Sequence, residues 1–191
     1  MQRSKLISYI NNGITNNISY DRFGNIISIG SVSYNYNDRN LLSSVIINNN
    51  EVMFSYNYEG IRTSKETSSK LVKYYTNGTK IIGEDWISNN QVTNRFRYFY
   101  NSEGICGIYY NQKYYQLIKD SLGNVSKIMY YGFIIGEYSY DAWGNVSISK
   151  SSNITIDEEF VVDNNPFRYK GYYYDFFNTF FIRYLLYPNI K

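Results

Sequence analysis

Tyr140-Asp141-Ala142-Trp143-Gly144-Asn145 is one copy of a phrase that runs through the whole chain: Tyr, then Asp or Asn, two free positions, then Gly or Asn. Other copies are Tyr20-Asp21-Arg22-Phe23-Gly24, Tyr36-Asn37-Asp38-Arg39-Asn40, Tyr56-Asn57-Tyr58-Glu59-Gly60, Tyr100-Asn101-Ser102-Glu103-Gly104 and Tyr174-Asp175-Phe176-Phe177-Asn178. Asp120-Ser121-Leu122-Gly123 keeps the last four positions, with Lys119 in the Tyr slot. Tyr75-Thr76-Asn77-Gly78 is a shortened copy. With 24 Tyr in 191 residues, about one match is expected by chance, so six full copies mark a stacked repeat architecture.

The phrase has a physical meaning. Asp or Asn opens a turn, because its side chain accepts a hydrogen bond from the backbone N–H two residues on. Three residues later the chain needs a left-handed conformation, which Gly adopts freely and Asn tolerates. The Tyr ends a strand, bringing a ring to pack and a hydroxyl that needs a partner. Each copy is therefore a strand–turn–strand hinge.

Around the hinges the sequence predicts short strands. Ile26 to Val32 alternates as one half-buried strand, and Leu71 to Tyr75 and Thr79 to Glu84 flank a hairpin at Asn77-Gly78. Further strands are Val92 to Tyr100, Ile105 to Tyr110, Tyr114 to Ile118, Val125 to Tyr131, Ile134 to Tyr140 and Val146 to Ser149. No amphipathic helix is expected, so the fold class is all-β: an antiparallel β-solenoid or shell segment of hairpins. Residues 1–149 form the repeat strands, 150–164 a polar loop, and 165–191 a terminal element.

Composition narrows the chemistry. The net charge is +3 and the basic residues are scattered, unlike the stripe of a nucleic-acid binder. There is no His, which excludes His-based metal sites and the common hydrolase triads. The single Cys106 reads as a small buried hydrophobe. Asp157-Glu158-Glu159 could be a cation site or a catalytic cluster, and reads better as a solvated loop. No cofactor is implied. No signal peptide and no apolar run of membrane-span length is visible.

The densest aromatic and cationic stretch is Asn165-Pro166-Phe167-Arg168-Tyr169-Lys170-Gly171-Tyr172-Tyr173-Tyr174-Asp175. It could present Arg168 and Lys170 beside aromatic faces as a ligand site. It reads better as an ordinary strand, with Phe167 and Tyr169 on one face and Arg168 and Lys170 on the other. This stretch, Lys119-Asp120-Ser121-Leu122-Gly123-Asn124-Val125 and Glu137 to Val146 together resemble the Rhs/YD-repeat proteins, in particular their Rhs-repeat-associated core. The resemblance implies a β-solenoid spiralling into a hollow shell that encloses a C-terminal toxin, with the core closing the shell. It also implies an aspartate-dependent self-cleavage junction after the core. Here the chain departs from the pattern: Pro188 matches the junction Pro, but Tyr187 stands where its Asp belongs.

The expected function is thus a non-enzymatic structural fragment of such a shell, secreted or displayed at the cell surface within a larger parent. Its partners would be neighbouring repeats, a second copy, or an encapsulated toxin domain in the parent, with no nucleic acid and no membrane span. The functional residues would be those of the turns and of the terminal element. A binding module using exposed Tyr with Trp86 and Trp143, for sugars or a protein, is the alternative. A self-cleaving core is the third reading. The open strand edges of such a piece favour self-association.

Overall fold

The computed structural model describes residues 5–11, 13–142 and 144–175. These residues form fifteen strands and one α-helix, and they divide into two compact units. The first holds residues up to Lys73 together with Ile87–Asn89; the second holds Tyr74–Trp86 and the residues from Asn90 onward.

The first unit is an antiparallel meander in which each strand pairs with its sequence neighbour. Its strands are β1 (Ser8–Asn11), β2 (Ile14–Tyr20), β3 (Ile26–Ile29), β4 (Val32–Tyr36), β5 (Leu42–Ile47), β6 (Asn50–Tyr56) and β7 (Arg62–Glu66). The start of β8 (Leu71–Asn77) pairs with β7. One face is buried: in β4, Val32 and Tyr34 are buried while Ser33 and Asn35, which alternate with them, are exposed. This period-two pattern is what a sheet with one covered face requires. The expected single strand from Ile26 to Val32 is in fact two. Gly30, at φ 54°, turns the chain back between β3 and β4.

The second unit takes the end of β8, most of β9 (Lys80–Ser88), β10 (Gln91–Asn101), β11 (Gly104–Tyr110), β12 (Lys113–Lys119), β13 (Val125–Tyr130), β14 (Phe133–Tyr140) and β15 (Val146–Lys150). From β10 to β15 it is again a meander. Phe96, Ile108, Tyr115, Val125 and Ile128 are wholly buried on its inner face.

After β15 the chain leaves the sheet and forms α1 (Ile156–Asn164), so residues 150–164 are not the expected polar loop. Thr155 and Glu158 form a reciprocal capping box, with Glu158 N donating to Thr155 Oγ1 and Thr155 N donating to Glu158 Oε2. The three acids of the first turn sit where the helix dipole favours negative charge. Asp157 accepts from Asn111 and Lys113, and Glu159 accepts from Lys150, so this cluster is a set of helix anchors rather than a solvated loop. One face of α1 lies on the sheet: Glu158 is buried beside Val161 and Val162, the two valines fully, and Tyr138 donates its hydroxyl to the Val162 carbonyl at 2.6 Å.

Candidate functional site

The repeated turns share one geometry. Asp21 Oδ1 accepts from Phe23 N and Asn25 N, and Oδ2 accepts from the Asn25 side chain. Asp120 holds Leu122 and Asn124 in the same way. Asn37 and Asn57 repeat the two backbone contacts, at Arg39 and Leu41 and at Glu59 and Ile61, while Asn101 makes the first of them, to Glu103. In the described copies the closing Gly or Asn is left-handed, from Asn40 at φ 62° to Gly104 at φ 103°, with Gly24, Gly60, Gly123 and Gly144 between.

The tyrosines in front of the turns act as staples. Tyr36 donates its hydroxyl to the carbonyl of Ile26, Tyr56 to that of Leu42, and Tyr140 to that of Val125, at 2.7 to 3.0 Å. In each case the acceptor is the second residue after the left-handed slot of the preceding turn. Tyr20 and Tyr100 make similar bonds to Leu6 and Ile81. Every staple joins a side chain of one repeat to the main chain of the one before it. Burial, with the neighbouring Tyr34, Asp21 and Tyr56, pushes the Tyr36 phenol up to about 12.

The terminal element from Asn165 to Asp175 is a hook, not the ordinary strand expected. Asn165 is fully buried; its Oδ1 accepts from Phe167 N and its Nδ2 donates to Phe167 O. A short 3-10 turn, Tyr169–Gly171, reverses the chain, with Lys170 at φ 51° and Gly171 at φ 65°. Tyr174 N then donates to the carbonyl of the buried Pro166, and Phe167 bridges Tyr173. Arg168 does not face outward as the strand reading required. It is buried, donates to the Asn165 and Asp163 carbonyls, and lies over the Tyr138 and Tyr174 rings. Arg168 and Lys170 are therefore parts of the packing: the first closes the hook, and the second lends its backbone N–H.

The hook docks on the turn at Asp120. Val125 N donates to Arg168 O at 3.0 Å, and Lys170 N donates to Asn124 Oδ1 at 2.9 Å. A Cβ on Gly171 would come within 3.3 Å of Ile105. Tyr169 meets the Tyr140 ring edge-on. The two distant sequence elements, residues 119–125 and 165–175, are thus one assembled site.

At the far end of the hook is a buried acid. Glu84 of β9 is 1% exposed and lies under Tyr173. Its Oε1 accepts from Trp86 Nε1 at 2.8 Å, and its Oε2 accepts a short hydrogen bond from the Tyr173 hydroxyl. Tyr74 meets Tyr173 edge-on, and Tyr98 meets Phe167. Burial, followed by the Glu84 charge, pushes the Tyr98 and Tyr173 phenols well above their usual range; Asp175 adds to the effect on Tyr173. A buried carboxylate needs such donors, and here they come from β9 and from the hook. The arrangement serves to hold the hook down. Sequence reasoning missed Glu84, because a Glu-Asp pair before a Trp in a strand does not show which acid is buried until its partner is known.

Two other expectations do not hold. Trp86 is not exposed for ligand stacking: it is 8% exposed, packed between Phe96 and Phe160 of α1. Cys106 is half-buried rather than buried, and its thiol donates to Phe99 O. Trp143, Tyr187, Pro188 and the last phrase position Asn178 lie outside the described residues.

No protein-family model matches the chain. It is 29% identical over 171 residues to the tRNA nuclease WapA of Bacillus subtilis strain 168, and 30% identical over the same length to the tRNA(Glu)-specific nuclease WapA of Bacillus subtilis subsp. natto. These matches cover 83% of the chain and 7% of each relative. Among solved structures, the TcdB2-TccC3-Cdc42 crystal structure has a chain superposing with a TM-score of 0.59 over 86% of this chain and 10% of its own length, at 14% identity. A Photorhabdus luminescens Tc holotoxin pore containing TccC3 gives 0.52, over 85% of this chain and 10% of its own length, again at 14% identity. The fold is shared with these toxin structures. Together the comparisons support the resemblance to Rhs-type proteins, without singling out the core segment. They also correct the non-enzymatic expectation, because the curated relatives are named as tRNA nucleases.

Proposed function

We propose that the chain is a wall segment of an Rhs-type shell belonging to a longer toxin-related protein, and that residues 156–175 close the apolar face of the second unit. The observation that carries this reading is the docking of the hook on the Asp120 turn, through Val125 N and Asn124 Oδ1. A terminal element that folds back to cap a repeat turn and bury the sheet behind it is a closing device. The relatives extend far beyond the stretch they share with this chain, so the activity named for them belongs to the whole parent. The parent in this reading is an exported tRNA-directed nuclease, and neighbouring repeats and an enclosed toxin region are the partners of this segment. The turn residues and the residues of the hook are its functional positions, as structural contacts.

The test is an immunoblot of the native source with antibody raised against residues 156–175, followed by a tRNA cleavage assay on the captured protein. A species far longer than 191 residues, with tRNA cleavage in the captured fraction, is expected. A native polypeptide of only this length with no such activity would sink the proposal.

A further inference from the structure

Among the described residues the sheet of the second unit ends at β15, after which the chain turns away into α1. Val146 is half-buried, and Ser147, Ile148, Ser149 and Lys150 are exposed. Among the described residues β15 pairs with β14 alone. Asp141 N donates to Asn145 O and Ser151 N donates to Ile135 O, across β14 and the ends of β15. Alternate residues of an antiparallel strand direct their backbone groups to opposite sides. Val146, Ile148 and Lys150 therefore turn their amides and carbonyls to the side away from β14, which no other described strand takes. Natural edges are blunted by Pro, charge or cover. Residues 146–150 have no Pro, and their single charge, Lys150, is drawn onto Glu159 and Asp163 of α1.

The repeats show what such an edge receives. Val146 occupies the position after the Asp141 turn that Ile26, Leu42 and Val125 occupy after theirs. Each of those three carbonyls accepts the hydroxyl of the tyrosine ending the next repeat's strand. β14 lies against β13 with Tyr140 on Val125; a strand laid on β15 in the same way puts its tyrosine on Val146. We propose that the edge of β15 is a docking edge for a strand of this repeat type donated by another polypeptide, with the Val146 carbonyl receiving its tyrosine hydroxyl. The recognition is strand addition, with main-chain bonds for affinity and the tyrosine for register. It stands on the staple geometry and not on the toxin parent, so the immunoblot can fail while this edge still binds.

The test is fluorescence anisotropy of the whole chain with a labelled synthetic peptide of residues 133–145, and with the same peptide carrying Tyr140→Phe. Saturable binding is expected, about two- to tenfold weaker for the Phe peptide, the effect of one hydrogen bond. The chain variant Ile148→Pro removes one outward N–H from an edge position that tolerates Pro, and should lose binding with unchanged circular dichroism. No saturable binding by the natural chain, equal affinity for the two peptides, or undiminished binding by Ile148→Pro overturns the proposal. If Ile148→Pro fails to fold, the comparison of the two peptides decides.

Discussion

Gly136 offers the sharpest test of how α1 is seated. It lies in β14, paired with Ile128 of β13 and Lys150 of β15, so its backbone has little room to move. A Cβ there would fall 2.6 Å from both methyl carbons of Val162, which is itself fully buried. Carbon atoms prefer about 3.5–4.0 Å, so Gly136→Ala must displace the helix by roughly 1 Å. Overpacking of this kind costs about 1–3 kcal/mol. The neighbouring bond from Tyr138 to the Val162 carbonyl, at 2.6 Å, would stretch with it, adding about 0.5–1.5 kcal/mol. Val162→Ala alone leaves a small cavity and costs about 1–2 kcal/mol by the usual large-to-small logic. In the double variant the new methyl occupies the space the valine vacated. The loss in the double variant should therefore fall short of the sum of the two single losses by at least about 1 kcal/mol, the coupling expected of touching residues. Urea unfolding followed by far-ultraviolet circular dichroism measures all four corners of the cycle. Additivity within about 0.5 kcal/mol would refute the seating of α1 on Gly136.

Tyr173→Phe leaves Glu84 Oε2 without its short hydrogen bond and should cost about 1.5–3 kcal/mol in the same assay, as for bonds to a charged group; a loss below about 0.5 kcal/mol would show that the hook is held elsewhere. At Asp21 and Asp120, burial acts to raise the carboxyl pKa, but bonds from Asn25 or Asn124 and from backbone amides outweigh it, leaving both below 3.8. Their contribution is therefore present above pH 3.8 and lost as pH falls through the lower folded values, so melting temperature should drop there. The Asp21→Asn/Asp120→Asn variant should flatten that acid limb, since Asn already serves at positions 37 and 57; an unchanged limb contradicts the turn reading. At alkaline pH the neutral phenol is the favoured form: Tyr36, raised from 10.0 to about 12, contributes stability that is present below pH 10.0 and lost as pH rises through about 12. Absorbance titration near 295 nm with Tyr36→Phe as control checks this, and ionisation of Tyr36 at its ordinary value would refute it. Gly144→Val and Gly13→Val should lower the melting temperature comparably, because both glycines are left-handed, at φ 77° and 76°. A harmless Gly13→Val would contradict this.

The strands and hinges were legible because their signals are local. An Asp or Asn, a left-handed residue three places on, and alternation on either side suffice to place them. The staples were half legible: a hydroxyl at the strand end needs a partner, but only the register shows that it is a carbonyl of the repeat before. The break between β3 and β4 was hidden because Gly30-Ser31 sits in an alternating run, where a small residue reads as the exposed position. Helix α1 was missed because its polar composition masks two buried valines and Phe160, and its start depends on the reciprocal bond between Thr155 and Glu158. Arg168 was misplaced because alternation presumes a strand, whereas Lys170 and Gly171 bend the chain into a hook. Glu84 depends on Tyr173, which lies 89 residues away in sequence, and no window reaches that far.

The staples carry one more consequence. Each joins a tyrosine hydroxyl to a main-chain carbonyl, and every residue type supplies that carbonyl: Ile26, Leu42 and Val125 serve equally. The tie is thus indifferent to which repeat stands behind it. An in-frame duplication or loss of one whole repeat brings the next tyrosine to an equivalent carbonyl, whereas a single inserted residue in a strand brings every later side chain to the wrong face. A gene built this way can lengthen or shorten by recombination between its own repeats while the strands it encodes stay tied at every seam.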